Sequence, residues 1–223
     1  MKEEYEVIER KDENGSSPPQ VYMVVAINFK IPTYVKFLSQ TDIKVGETVM
    51  VDGIKVYYKD AEIGAWSIFK RGDGLVIDTS YSIKYTGGYS IDGQILYVDS
   101  NFPEEIVVGG KKIDTIETIG RHHECTEKWL IDDGYTYSYA HQIATKIERY
   151  YVESLGVSWN DYSNEVAKNL RDTYARKLSR SPVNLDLSPY VFSKDMDALK
   201  EIKESGGKVD VQLVGGGAPQ EGY

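Results

Sequence analysis

Short β-rich runs separated by Asp-Gly dipeptides are the feature that most constrains how this chain can fold. Such dipeptides occur at Asp52-Gly53, Asp92-Gly93 and Asp133-Gly134. A two-residue type I′ turn needs positive φ at both central positions, which Asp tolerates and Gly adopts freely. Each dipeptide therefore predicts a β-hairpin, and the weaker signals Asp73-Gly74 and Gly109-Gly110 predict two more.

The runs beside these turns give the expected fold class. A strong strand candidate covers residues 21–29, and the last predicted hairpin joins residues 128–131 to residues 135–137. A turn every 17 to 24 residues is typical of antiparallel sandwiches and barrels. We therefore expect an α+β, mainly β fold, in which residues 1–139 form a jelly-roll-like antiparallel β-sandwich or barrel.

Residues 140–214 have a different pattern, with apolar residues at helical spacing. One predicted helix runs from Tyr139 to Leu155 and ends at Gly156, and a second runs from Ser158 to Leu178, so the two form a helical hairpin. An extended linker, a short helix capped by Ser193, and a final strand at residues 209–213 complete this domain. Residues 215–223, rich in Gly, are expected to form a disordered tail.

All three histidines and the only cysteine lie within 20 residues, at His122, His123, Cys125 and His141. Imidazole and thiolate are preferred ligands of zinc. On a strand, His122 and His123 would point to opposite faces, so the candidate metal ligands are His123, Cys125 and His141. A pairing of Cys125 with a histidine could also support thiol catalysis. A structural role for the cluster is the simpler interpretation, and no cofactor is expected.

The charge of the chain argues against several partners. A formal net charge of −9 opposes general attraction to nucleic acid or to anionic lipid. The longest apolar run, residues 21–27, is too short to span a bilayer. One basic group departs from this trend and is a candidate partner-binding surface: Arg171, Arg176, Lys177 and Arg180. The simpler interpretation is that these residues complement the carboxyl end of the second helix.

Composition favours protein–protein contacts over catalysis. The chain contains 18 tyrosines, whose rings combine apolar area with a polar tip suited to interfaces. It contains neither a G-x-x-x-x-G-K-[ST] nor a G-x-G-x-x-G phosphate-binding motif. With its predicted strands and three Asp-Gly turns, the chain resembles the single-jelly-roll vertex or penton-base proteins of icosahedral viruses, including the turreted viruses of archaea.

This resemblance implies a non-enzymatic virion subunit that associates with itself and with other structural proteins around a symmetry axis. Two other hypotheses remain open. One is an enzyme, a hydrolase or a thiol enzyme, that uses the His/Cys cluster at residues 122–141. The other is a cytoplasmic protein-binding module in which the helical hairpin binds an acidic partner through its basic residues.

Overall fold

The computed structural model describes residues 74–132 and 134–209 and, before them, the backbone of six strands. The chain divides between Gly74 and Leu75 into two compact units. The boundary predicted near residue 139 lies inside the second unit. The predicted tail at 215–223, and all but the first residue of the predicted strand at 209–213, lie outside the described residues.

The first unit contains a four-stranded antiparallel sheet and a separate hairpin. Its strands are β1 Glu4–Glu9, β2 Tyr22–Ile27, β3 Thr33–Ile43, β4 Thr48–Val51, β5 Ile54–Tyr57 and β6 Ile63–Arg71. The sheet has the order β1-β2-β3-β6. Val51 lies opposite Ile54 in the β4–β5 pair, which confirms the hairpin predicted at Asp52-Gly53.

The second unit contains two small sheets. Its strands are β7 Val76–Asp78, β8 Gly87–Tyr89, β9 Ile95–Val98, β10 Glu105–Val108 and β11 Lys111–Asp114. In the order β7-β9-β8, β9 pairs parallel to β7 and antiparallel to β8. Gly93, with φ of +67°, lies in the β8–β9 connection. Gly109 and Gly110 have φ of +58° and +80° between β10 and β11. Both predicted hairpins are therefore confirmed.

The described part of the second unit also contains helices. They are a π-helix at Ile116–Glu124, α1 Cys125–Asp132, α2 Tyr137–Ser154, α3 Trp159–Tyr174, α4 Ser188–Phe192 and α5 Met196–Glu204. The predicted helical hairpin corresponds to α2 and α3, and Gly156 follows α2 with φ of +71° as expected for a left-handed cap. The cap of α5 is Asp195, which accepts a hydrogen bond from the Ala198 N–H, rather than the predicted Ser193.

The prediction of a mainly β, jelly-roll-like sandwich or barrel is wrong. About half of residues 74–209 are helical, and the five strands of this unit are short and form two small sheets. Across the described strands, no sheet closes into a barrel or pairs with another as a sandwich. Most of the predicted turns are present in the structure. Turns alone, however, do not determine how many strands join one sheet.

The hairpin predicted at Asp133-Gly134 is also wrong, because the run before it is helical and the run after it leads into another helix. Residues 128–131 belong to α1, and Tyr137 begins α2. Gly134 has φ of +89°, a conformation that ends a helix as well as it turns a hairpin. Thr136 then caps α2 by accepting a hydrogen bond from the Tyr139 N–H. An Asp-Gly pair thus connects two helices here.

Two apolar clusters hold the second unit together. In the first, the sheet packs against the C-terminal segments, and its buried residues include Ile83, Tyr97, Leu185, Tyr190, Leu199 and Ile202. In the second, the β10–β11 hairpin packs against the α2–α3 region through Ile106, Val108, Ile113, Val152, Val157 and Tyr162. Within the part of the chain that the structure describes, no helix is both long and apolar enough to cross a membrane.

We predict that Gly207→Ala destabilises the second unit by about 1–3 kcal/mol, the usual cost of forcing extra volume into a packed site. A Cβ atom at this position would overlap the Cγ2 atom of the buried Ile202 and lie 3.0 Å from its carbonyl oxygen. Chemical denaturation measures the change. Gly74→Ala is the matched control, because a Cβ there meets no atom within 4 Å. Equal stability of the two variants would contradict this packing.

Candidate metal centre

The π-helix starts directly after β11 and passes beside the three-stranded sheet. The Asp114 Oδ1 atom accepts hydrogen bonds from the N–H groups of Ile116 at 2.9 Å and Glu117 at 3.2 Å, which satisfies the start of the helix. Further along, Gly120 allows close approach to β9, since a Cβ there would lie only 3.1 Å from Val98 Cγ2. The end of the π-helix is thereby fixed next to the sheet.

Three ligand-type side chains converge where the π-helix meets α1. His123 and Glu127 are four residues apart, and His141 comes from the first turns of α2. His141 Nδ1 lies 2.8 Å from Glu127 Oε2 and 3.1 Å from His123 Nε2, and His123 Nε2 lies 3.7 Å from Glu127 Oε2. The three residues form a group that could hold a metal ion.

These separations match a tetrahedral zinc site. Ligand atoms that lie about 2.0–2.2 Å from a tetrahedral ion are about 3.4 Å from one another, and the three observed distances bracket that value. Two histidines with one carboxylate are a known set for catalytic zinc, with the fourth position left for water or substrate. His141 is 49% exposed, so the site opens towards solvent on that side.

Further hydrogen bonds orient the ligands from behind. His123 Nδ1 lies 2.9 Å from Glu148 Oε2, which leaves Nε2 facing the other two ligands. Tyr162 donates its hydroxyl proton to Glu148 Oε1 at 2.7 Å. Tyr89 donates in the same way to Glu127 Oε1 at 2.9 Å. A carboxylate behind a metal-binding histidine is a common feature of metal sites, because it fixes the ring and its tautomer.

The site concentrates negative charge in a buried position. Glu127, Glu148 and Glu124 are only 2%, 6% and 7% exposed. Burial and the neighbouring Glu127 raise the pKa of Glu124 to about 8. Burial alone would raise the pKa of Glu127, but hydrogen bonds from His123 and His141 outweigh it and lower that pKa to about 2. Buried carboxylates are costly unless a cation balances them.

His123 carries the balancing proton when no metal ion is bound. Burial opposes charge on its ring, but hydrogen bonds to Glu127 and Glu148 hold its pKa well above the usual range. A metal ion would take over this role, since a histidine ligand must be deprotonated and metal binding releases protons.

Glu124 follows His123 in sequence and lies against the edge strand β8. A Cβ atom on Gly87 would be 2.7 Å from Glu124 Oε1 and 2.9 Å from its Cγ. Only glycine leaves room for this side chain, so the sequence of β8 and the position of the carboxylate depend on each other.

The three candidate ligands, His123, Glu127 and His141, lie in a cleft of about 330 Å³. Its walls come from β8 and the residues before it, from the helices that carry the cluster, from α3 and from the start of α4. The residues outside the cluster are Tyr85, Thr86, Gly87, Ile119, Tyr137, Thr145, Trp159, Tyr162, Ser163, Val166, Ala167, Leu170 and Pro189. This volume is at the lower end of the range of about 300–1,000 Å³ for ligand clefts.

The structure brings together two of the three metal ligands predicted from sequence. His123 and His141 converge, whereas Cys125 is fully buried and does not belong to the metal-binding group found among the described residues. The premise that residues 122–125 form a strand is wrong, because they lie on consecutive helical segments. His122 instead stacks on Tyr151, with ring centroids 3.8 Å apart.

The predicted basic surface is away from the cleft. Only Arg171 lies within α3, because the helix ends at Tyr174 rather than at residue 178. Arg176 Nη1 donates to Asn101 Oδ1 at 3.4 Å, and Lys177 pairs with Glu204 at 3.8 Å. The Arg180 guanidinium lies 4.5 Å from the ring centroid of Tyr81. These three side chains therefore have partners within the chain, and binding of an external acidic partner stays a prediction.

Sequence reasoning missed the acidic half of the site: Glu124, Glu127 and Glu148. The signal was present, because residues 123–127 read His-Glu-Cys-Thr-Glu. On a helix this spacing places residues i and i+4 on one face, with an acid at i+1, as in the H-E-x-x-H pattern of zinc proteases, here with Glu in place of the second His. The strand assignment hid the pattern.

Comparison with known proteins gave no match to a family model, to a characterised protein or to a solved structure. The function is therefore inferred from the geometry of this site.

We predict that the protein binds about one zinc ion per chain and that His123→Ala or His141→Ala abolishes stoichiometric binding, because each removes one of three protein ligands. Elemental analysis after dialysis against trace zinc measures the ratio. Cys125→Ala is the control and should retain the metal. Loss of zinc in the cysteine variant, with retention in the histidine variants, would contradict the assignment of ligands.

Proposed function

We propose that this protein is a zinc-dependent peptidase in which His123, Glu127 and His141 hold the metal ion and Glu124 is the general base. The observation that carries the proposal is the convergence of two imidazole nitrogens and one carboxylate oxygen at 2.8–3.7 Å in an open cleft. Glu148 and Tyr162 support this set from behind.

When bound, zinc would supply Lewis-acid chemistry, lowering the pKa of a water molecule towards 7 and polarising a carbonyl group. The residues around it handle the protons. Glu124 accepts a proton as the water oxygen forms a bond to the carbonyl carbon. It then returns that proton to the leaving nitrogen as the C–N bond breaks, so that a carboxylic acid and an amine are the products.

Glu124 also favours hydrolysis over the other chemistry of this ligand set. Two histidines and one carboxylate can bind iron(II) in oxygenases as well as zinc in hydrolases. Hydrolysis of an amide additionally needs a proton acceptor beside the metal, and Glu124 is buried one residue from His123 and next to the cleft.

Backbone hydrogen bonds hold β8 and the residues that flank it on both sides. Thr86 and Ser90 form their backbone hydrogen bonds towards β9, through Asp99 N to Thr86 O at 3.0 Å and Ser90 N to Ile95 O at 2.8 Å. Because antiparallel strands alternate, Gly87 and Tyr89 direct their backbone groups to the other side. Tyr89 O there accepts from Asp186 N at 2.8 Å.

Gly87 lies beyond the end of that outer pairing, because the chain turns into α4 at Ser188. Gly87 is buried, like the rest of β8, and it lines the cleft, where a Cβ atom on it would meet the Glu124 side chain.

The virion subunit predicted from composition stays a prediction. It depended on a jelly roll, which this fold does not contain, and the described residues carry no information on assembly or location.

We predict that Glu124→Gln lowers peptide hydrolysis by about 10²–10⁴-fold, the usual contribution of a general base, while zinc binding is unchanged. Mass spectrometry of new termini in a complex peptide mixture, with and without a chelator, measures cleavage. Glu117→Gln is the matched control, because this glutamate lies on the same π-helix and pairs with Arg121. If zinc-loaded wild-type protein cleaves no peptide, the proposal is wrong.

We further predict that Gly87→Ala lowers the rate by at least about tenfold and retains the metal, because the new Cβ would push the Glu124 carboxyl group away from its position. Rate and zinc content are measured on the same preparation. Gly74→Ala, in open space, should be unaffected in both. A Gly87→Ala enzyme with full activity would show that the position of Glu124 does not matter.

A further inference from the structure

One whole face of α3 lines the cleft. Its six lining residues recur at intervals of three and four, the spacing of a single helical face, and they are Trp159, Tyr162, Ser163, Val166, Ala167 and Leu170. Tyr162 is the only buried member of this set, and the others are partly exposed. Surface helices usually bury their apolar stripe in the core. Here Tyr162 belongs to the apolar cluster of the β10–β11 hairpin, and Trp159 and Val166 pack against that cluster, yet all three also line the cleft beside the metal ligands.

The wall is also uncharged. Outside the three metal ligands, Glu124 and Glu148, the residues known to line the cleft include no Lys, Arg, Asp or Glu, although 27% of the chain is charged. Aromatic rings contribute to it on both sides, through Tyr85 and Tyr137 as well as Trp159. A cleft with apolar walls and a few convergent polar groups is typical of sites that bind an apolar group in a fixed orientation.

We propose that the α3 wall, with Trp159, Val166 and Leu170 at its centre, is a specificity pocket for a large apolar side chain of the peptide substrate. The inference rests on the proposed peptidase function and names its preferred residue class. Charge selects against an acidic side chain, which would meet the carboxyl groups of Glu124 and Glu148 in the same cleft.

Binding of small hydroxamates to zinc-loaded protein tests the pocket without turnover. The hydroxamate group binds the metal, so the attached side chain is placed in the cleft. N-acetyl-phenylalanine hydroxamate should bind at least about tenfold more tightly than N-acetyl-glycine hydroxamate, since a well-fitted apolar group contributes roughly 10–200-fold. Isothermal titration calorimetry gives both dissociation constants. N-acetyl-aspartate hydroxamate should bind no better than the glycine compound.

Two variants of the wall localise the effect. Leu170→Asp introduces a charge into the pocket and should reduce the preference for phenylalanine over glycine to within about threefold. Leu170→Ala removes apolar contact at a partly exposed position outside the two apolar clusters and should reduce the preference in the same direction. Asn164→Asp is the matched control, because Asn164 is exposed on the same helix and does not line this cleft.

The outcomes separate this inference from the proposed function. Equal affinity for the phenylalanine and glycine compounds, or an unchanged preference in both wall variants, would overturn the pocket even if peptides are cleaved. The phenylalanine compound could bind selectively, and lose that selectivity in Leu170→Asp, while no peptide is cleaved. This result would support the pocket and refute only the proposed peptidase function. If neither compound binds the zinc-loaded protein, both the pocket and the proposed function are overturned.

Discussion

The second unit depends on the balance of charge where the π-helix, α1 and α2 meet. Three glutamates are almost fully buried there, and His123 and His141 lie beside them. A protein that needed only stability would gain more from apolar residues at these positions, because buried ion pairs rarely repay their desolvation. The cluster is explained if a metal ion occupies the point on which three of its ligand atoms converge. The surrounding hydrogen bonds then position ligands as well as stabilise the fold.

Two glycines allow the elements around the metal ligands to pack closely. Gly120 brings the π-helix against β9, and Gly87 leaves space on β8 for the Glu124 side chain. The π-helix itself is a costly conformation that is found most often at functional sites. It joins α1 one residue after Glu124, so the change in helical pitch falls between His123 and Glu127. The ligands, the base and the strand edge are therefore fixed by parts of the chain that are close in sequence and in space.

Local chemistry allowed some of this to be predicted from sequence. Three kinds of feature depend on only a few neighbouring residues, and their predictions are largely confirmed. They are the glycine-containing turns, the helical spacing of α2 and α3, and the left-handed cap at Gly156. The jelly roll failed because strand pairing over long distances has no local signal. Asp133-Gly134 failed because one backbone conformation serves both hairpins and helix ends.

The site was predicted only in part for the same reason. Histidine and cysteine drew attention to residues 122–141, but the choice among their neighbours depended on secondary structure. On a strand Cys125 shares a face with His123, whereas on a helix Glu127 does. The role of Glu148 could not be predicted from sequence, because α2 brings this residue to His123 across 25 positions of sequence. Tyr162 and Gly87 likewise contribute only through tertiary contacts.

X-ray absorption spectroscopy at the zinc edge tests the central claim most directly, because it reports the atoms bound to the metal. The account predicts a shell of nitrogen and oxygen atoms at about 2.0–2.1 Å, with two imidazole rings and no sulfur. A sulfur atom at about 2.3 Å would place Cys125 in the site, and a spectrum of hydrated zinc alone would show that the converging residues do not bind metal.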